Sequence, residues 1–167
     1  MEISAAAVKE LRDKTGAGVM DCKRALTESG GDMSAAAEIL RKQGLASAEK
    51  RMNRVASQGL IDAYLHAGGR IGAMVEVNCE TDFVARTDVF REFVHDVAMQ
   101  VAATGPIYVS QEEVPAGAEV NPKDACLLLQ PFIKDPGKTI DDLLKDTIAK
   151  TGEAIRIRRI ARFELGA

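Results

Sequence analysis

Aromatic residues are scarce in this chain: its 167 residues include no tryptophan, two tyrosines and five phenylalanines. Large rings normally anchor a core, so a domain with this few is expected to keep nearly all of them inside. Histidine is scarcer, with only His66 and His95, and neither has a second histidine or a cysteine at metal-ligand spacing. The three cysteines, Cys22, Cys79 and Cys126, are widely separated and form no Cys-x-x-Cys pair. Neither a zinc site nor a disulfide framework follows from that pattern, and reduced, buried thiols are expected. No stretch approaches the roughly 20 apolar residues that span a bilayer. The opening MEISAAAVKELRDK lacks the basic start and long apolar run of a signal peptide. The expectation is a cytoplasmic protein without a membrane. A net charge of −3 and a pI near 5.5 argue against a general grip on nucleic-acid phosphates.

What is present is ordinary for a globular chain, with 46% hydrophobic and 28% charged residues. The size fits one domain, or one domain and a small helical module. Residues 1–45 read as three short helices. Ile3, Ala7, Val8 and Leu11 form the first stripe, and Thr15-Gly16-Ala17-Gly18 breaks it. Met20, Cys22, Ala25 and Leu26 follow, before Gly30-Gly31. Asp32 or Ser34 can cap a third helix carrying Met33, Ala36, Ala37 and Leu40, with a stop expected at Gly44. Residues 46–57 are polar and basic and read as an exposed connecting helix or linker.

From residue 58 the period changes from that of helices to that of strands. Ile61, Ala63 and Leu65 alternate, His66-Ala67-Gly68-Gly69 suits a hairpin turn, and Ile71, Ala73, Val75, Val77 and Cys79 alternate on the return. Val89, Phe90, Phe93, Val94, Val97, Ala98, Val101 and Ala102 then mark an amphipathic helix ended by Gly105-Pro106. Residues 106–138 hold all five prolines and read as an irregular excursion, with Cys126-Leu127-Leu128-Leu129 as a short buried element. Thr139 and Asp142 resemble a capping box for a helix carrying Ile140, Leu143, Leu144, Thr147 and Ile148 and ended by Gly152. Ile155, Ile157, Ala161, Phe163 and Leu165 make a last strand, interrupted at Arg158-Arg159-Ile160. Three strands under two amphipathic helices give an α+β fold: a three-helix module, then a small antiparallel three-stranded sheet packed with helices over residues 58–167.

Candidate chemistry is thin. Cys79 and Glu80 are neighbours on a strand and point to opposite faces, so they do not share a pocket as nucleophile and base. Gly16 and Gly18 have no preceding strand and no following Gly-Lys-Ser/Thr, the context a phosphate cradle needs. The Arg156, Arg158, Arg159, Arg162 cluster lacks interleaved aromatics apart from Phe163, and reads as a solvated or carboxylate-paired face. One feature stands out instead. Asn78-Cys79-Glu80-Thr81-Asp82-Phe83-Val84-Ala85 ends the clean strand with hydroxyl, carboxylate and large ring at consecutive positions, just before a helix. Phe83 there is either a cap contact or a tool for touching another molecule, and Asp82 is a candidate helix N-cap.

Two stretches, LRDKTGAGVMDCKRAL (Leu11 to Leu26) and EVNCETDFVAR (Glu76 to Arg86), closely resemble the two signatures of the bacterial elongation factor Ts family. The closing QPFIKDPGKT and RIRRIARFELG resemble its C-terminal stretch, so the likeness covers most of 1–110 and 127–167. It implies a guanine-nucleotide exchange factor for elongation factor Tu, not an enzyme that makes bonds, and without a cofactor or metal of its own. It implies a ubiquitin-associated-like module for residues 1–45 that docks on the GTPase, with Met20 and Lys23 facing the partner. Thr81, Asp82, Phe83 and Val84 would push toward the partner's magnesium and phosphate site, Phe83 as wedge and Asp82 as polar arm. A binding module of the translation apparatus without exchange activity is the alternative. Long members carry a second core repeat and a coiled-coil insertion that this chain lacks, and residues 111–127 look abbreviated. A homodimer paired through the sheets is expected to compensate.

Overall fold

The computed structural model describes residues 3–167, so the expected 1–45 module begins on two residues outside it. Three helices open the fold: α1 (Ala5–Thr15), α2 (Val19–Glu28) and α3 (Met33–Arg51). Ser4 caps α1 by accepting from the Ala7 N–H at 3.2 Å, and Asp32 caps α3 by accepting from Ala35 at 2.9 Å. Gly16 ends α1 in the left-handed region at φ +70°, which a side chain would resist. Val8, Leu11, Cys22, Ala25, Leu26, Ala36 and Leu40 bury one another in a small core of their own.

The expected stop at Gly44 is not there, because α3 runs on to Arg51. A glycine inside a helix costs about 1 kcal/mol relative to alanine. Here its missing Cβ permits close packing: a Cβ on Gly44 would lie 3.1 Å from the Ala149 Cβ. Residues 46–51 are therefore helix rather than linker, and only 52–57 connect. One helix serves both parts, burying Ala36 and Leu40 in the first cluster and Ala48 in the second.

The sheet contains β1 (Gln58–Leu65), β2 (Ile71–Cys79) and β5 (Ile155–Glu164), antiparallel in the order β1-β2-β5. A Gly68-Gly69 turn with positive φ at both residues closes the first hairpin, as expected. On its inner face Ala73, Val75, Val77, Cys79, Ile155 and Ile157 meet α5 (Asp88–Thr104) and α7 (Ile140–Thr151). Phe90, Val94, Val97 and Val101 of α5 and Ile140 and Ile148 of α7 are fully buried there, each such side chain worth about 1.5–3 kcal/mol of transfer. A one-turn helix, α4 (Asp82–Ala85), joins β2 to α5. The expected bulge is present: the β2–β5 register shifts between Glu76 and Val77, opposite Arg158.

The excursion over 106–138 holds more structure than its composition suggested. It contains α6 (Pro122–Ala125), β3 (Pro131–Phe132), β4 (Asp135–Thr139) and a parallel bridge between Tyr108 and Cys126. Buried amides tie it down. Gln100 Nε2 donates to the Pro131 carbonyl at 3.1 Å and its Oε1 accepts from Ile133 N at 2.9 Å. Gln130 Nε2 donates to the Asp124 carbonyl at 2.7 Å. These elements are too short to carry a period, which is why the sequence hid them. The architecture is α+β, seven helices with a small antiparallel three-stranded sheet among the described residues.

Candidate functional site

The strand-to-helix turn is built from two threonine caps in series. Thr81 is extended (φ −125°, ψ 155°) and its Oγ1 accepts from the Val84 N–H at 3.4 Å, starting α4. Thr87 repeats the device six residues on, accepting from Phe90 N at 3.3 Å to start α5 and donating to the Val84 carbonyl at 2.8 Å. Thr81, not Asp82, is thus the N-cap, which corrects the capping role considered for Asp82. Asp82 stands at the first helical position with its carboxylate outward, 2.8 Å from the Arg86 guanidinium across one turn. Both side chains are at least half exposed, so that pair adds little stability.

One turn of helix sorts its side chains. Ala85 is buried and Val84 half-buried against the core, whereas Phe83 leaves 78% of its surface in solvent. Leaving a phenylalanine outside forgoes about 1.5–3 kcal/mol of burial, so the cap-contact reading fails on geometry: the ring does not pack as a cap. Beneath the turn, Cys79 Sγ donates to the Thr81 carbonyl at 3.1 Å. Burial, with the Glu153 carboxylate as the next cause, pushes the Cys79 thiol up to about 11. It stays protonated at neutral pH and is no nucleophile.

The second expected surface lies on α2. Cys22, Ala25 and Leu26 all face the module's core, which leaves Met20, at 73% exposure, and Lys23 outward. Together with Arg24, Thr27 and Glu28 they line a shallow concavity of about 430 Å³. It shares no residue with the Phe83 turn, so the two are separate exposed features.

Other sequence candidates resolve as structure. The Gly16 N–H is spent on the Arg12 carbonyl at 2.8 Å, so it is not free to cradle a phosphate. His66 Nδ1 lies 3.2 Å from the Tyr64 hydroxyl and His95 Nδ1 lies 3.1 Å from Asp62 Oδ2, both exposed. Arg159 pairs with Glu76 at 2.6 Å and Arg162 with Glu164 at 2.7 Å. Among the described residues no three His, Cys, Asp or Glu side chains gather as a metal site, and no helix is long and apolar enough to cross a membrane.

A third feature escaped sequence reading: the outer face of the sheet is apolar. Leu65, Gly72 and Phe163 form one cross-strand row, and Ala63, Met74 and Ala161 the next on the same face. Ile61 lies beside the Glu76–Arg159 pair in the third row. Phe163 is 75% exposed, and Ile61, Leu65, Met74 and Leu165 are all more than half exposed. The signal was in the sequence as the alternation of Ile61, Ala63 and Leu65, but its face could not be assigned from period alone.

Comparison with known proteins identifies relatives of the chain. The family described as Elongation factor TS matches residues 34–123, a span that includes the sheet hairpin and the Phe83 turn. Elongation factor Ts of Thermoanaerobacter sp. (strain X514) is 52% identical, covering 98% of this chain and 95% of that protein. Elongation factor Ts of Moorella thermoacetica is 50% identical over 98% and 96%. That of Thermosynechococcus vestitus is also 50% identical, but only 66% of its length is matched. The first of these alignments runs over 194 positions against the chain's 167 residues, so that relative carries stretches with no counterpart here. With half its residues shared along almost its whole length, the chain belongs to the elongation factor Ts family.

Proposed function

We propose that this chain is a guanine-nucleotide exchange factor for elongation factor Tu, acting in the cytoplasm to speed GDP release during translation elongation. The observation that carries the reading is the Phe83 ring, 78% exposed on a one-turn helix fixed at both ends by threonine caps. Thr81 starts the turn, Val84 seats it, Phe83 is the wedge and Asp82 the polar arm beside it. They act near the partner's magnesium and phosphate site, and the magnesium belongs to the partner. Met20 and Lys23 of the ubiquitin-associated-like module dock the partner without driving exchange.

The physics is linkage. A factor that binds the nucleotide-free GTPase more tightly than the nucleotide-bound form weakens nucleotide binding by the same factor. A coupling of about 3 kcal/mol corresponds to roughly 150-fold. No bond is made or broken by this chain, so it is not an enzyme in the bond-making sense.

The test is release of a fluorescent GDP analogue from elongation factor Tu in a stopped-flow instrument. Phe83→Ala slows release at saturating factor while thermal unfolding stays intact. Unchanged release removes Phe83 as the wedge, and binding with no acceleration by the unaltered chain favours the binding-module alternative.

A second reading concerns self-association. The apolar outer sheet face supports a homodimer in which two sheets pack face to face, about 10 Å apart. An antiparallel sheet with one free face ordinarily keeps that face polar, and here Phe163, Leu65, Ile61 and Met74 occupy it. Sedimentation showing only monomers at micromolar concentration, alone and with the partner, sinks this reading.

A further inference from the structure

The ladder between β2 and β5 ends at the pair Cys79–Ile155. Beyond it the backbone N–H groups of Glu80 and Thr81 need other acceptors. Both find the same one, from a residue more than seventy positions away. Glu153 Oε2 accepts from Glu80 N at 3.1 Å and from Thr81 N at 3.0 Å, and its Oε1 accepts from the Thr81 hydroxyl at 2.5 Å. The exchange is reciprocal, because Glu80 Oε1 accepts from Ala154 N at 2.7 Å. Arg54 Nη1, from the connection after α3, lies 3.5 Å from the same Glu80 oxygen.

Glu153 occupies the short link between α7 and β5, where Gly152 turns the chain at φ +76°. A carboxylate is an acceptor with two oxygens, and here both are engaged by donors on one turn. Such charge-assisted bonds are about twice as strong as neutral ones. The Thr81 hydroxyl is the hinge of the arrangement. It donates to Glu153 and accepts from Val84 N, so the carboxylate fixes the oxygen that starts α4. The direction in which Phe83 leaves the protein therefore depends on Glu153, whose hydrogen bonds to the turn go to Glu80 and Thr81.

We propose that Glu153 is the positioning residue of the Phe83 turn, holding it ready for the partner so that little ordering is left to the moment of contact. This rests on the exchange reading above. Glu153 acts through Thr81 and Glu80 and is not itself a contact to the GTPase.

The test compares Glu153→Ala, Glu153→Gln and Phe83→Ala on the full chain, by two readouts. One is GDP-analogue release from elongation factor Tu over a range of factor concentrations; the other is amide hydrogen exchange at Glu80 and Thr81. Glu153→Ala is expected to lower the saturating rate by about tenfold, with less than about twofold change in the half-saturating concentration. It also speeds exchange at both amides. Glu153→Gln keeps most of the rate, because its carbonyl oxygen still accepts from the two N–H groups, and it serves if the alanine variant fails to fold. Loss of rate in Phe83→Ala but not in Glu153→Ala overturns the proposal. So does a rise in half-saturating concentration with the saturating rate intact, which would make Glu153 a docking or merely structural residue. If Phe83→Ala changes nothing, Phe83 is not the wedge and the functional part of this proposal falls with that role. The exchange reading itself falls only if the unaltered chain binds without speeding release. The two amides then still report separately on the clamp, and unchanged exchange in Glu153→Ala overturns that too.

Discussion

Two phenylalanines stand in solvent to nearly the same degree, Phe83 at 78% and Phe163 at 75%, and their surroundings are opposite. Phe83 has exposed Asp82 and Arg86 beside it and projects alone from one turn of helix. Phe163 stands in a cross-strand row with Leu65 and Gly72, next to Met74 and two alanines. A lone ring on a clamped turn suits insertion into a pocket, where one side chain carries most of the energy. A ring within an apolar plate suits a broad, flat contact in which area matters more than any one residue. Exposure alone does not separate these uses; neighbours do.

The largest expected effect tests that division directly. Phe163→Asp places a charge in the plate and raises the dissociation constant for self-association at least about tenfold, or ~1.4 kcal/mol, as sedimentation would record. At saturating concentration it slows GDP release far less than Phe83→Ala does. The division breaks if Phe163→Asp stops release while leaving the dimer whole, or if Phe83→Ala dissociates it. Next in size is Lys23→Ala on α2. It raises the half-saturating concentration for the partner several-fold and leaves the saturated rate near its original value, in the same titration. The reverse pattern would move Lys23 from docking to exchange.

Much of this was legible before the fold. The 2-residue period of Ile71 to Cys79, the capping box of Thr139 and Asp142, and the helix ends at Gly105 and Gly152 are local signals, and the structure keeps each one. Phe83 was legible for the same reason, because strand, turn and helix are all local there. Glu153 was not, since its role depends on two chain ends meeting across more than seventy residues. The outer face was half legible. Alternation announced β1, yet both of its faces carry apolar residues, Leu60 and Tyr64 inward against Ile61 and Leu65 outward, so period could not choose between them. On β5 the bulge opposite Glu76 reverses the alternation, turning Phe163 out after Ile157 faces in. The glycine at 44 misled because propensity is a weak prior against a helix contact that needs the missing side chain.

That contact yields a prediction read on stability rather than on binding. Gly44→Leu forces bulk into the 3.1 Å approach to Ala149 and costs about 1–3 kcal/mol by thermal or denaturant unfolding. The change separates the shared helix from α7, the helix that leads into Glu153. It should therefore loosen the Glu80 and Thr81 amides while leaving the outer sheet face, and self-association, nearly untouched. Equal loss on both sides would show that the plate and the turn draw on the same frame.

The smallest effect concerns the start of α7 itself. Asp142 accepts from Thr139 N at 2.9 Å and from its hydroxyl at 2.8 Å, while Thr139 Oγ1 accepts from Asp142 N at 3.1 Å. The backbone N–H of Thr139, then its hydroxyl, hold the Asp142 carboxyl below its ordinary value. A folded value below the unfolded one means stability that is complete above the unfolded value and lost as pH falls through the folded one. Asp142→Ala is thus expected to cost about 1 kcal/mol at neutral pH, a fall of roughly 2–4 °C in Tm. The deficit disappears in acid below the carboxylate range, where both proteins lack the bond. GDP release stays unchanged at saturation, because α7 is shortened at the end remote from Glu153. A slowed saturated rate would show instead that the Phe83 turn feels the whole helix rather than its last residues.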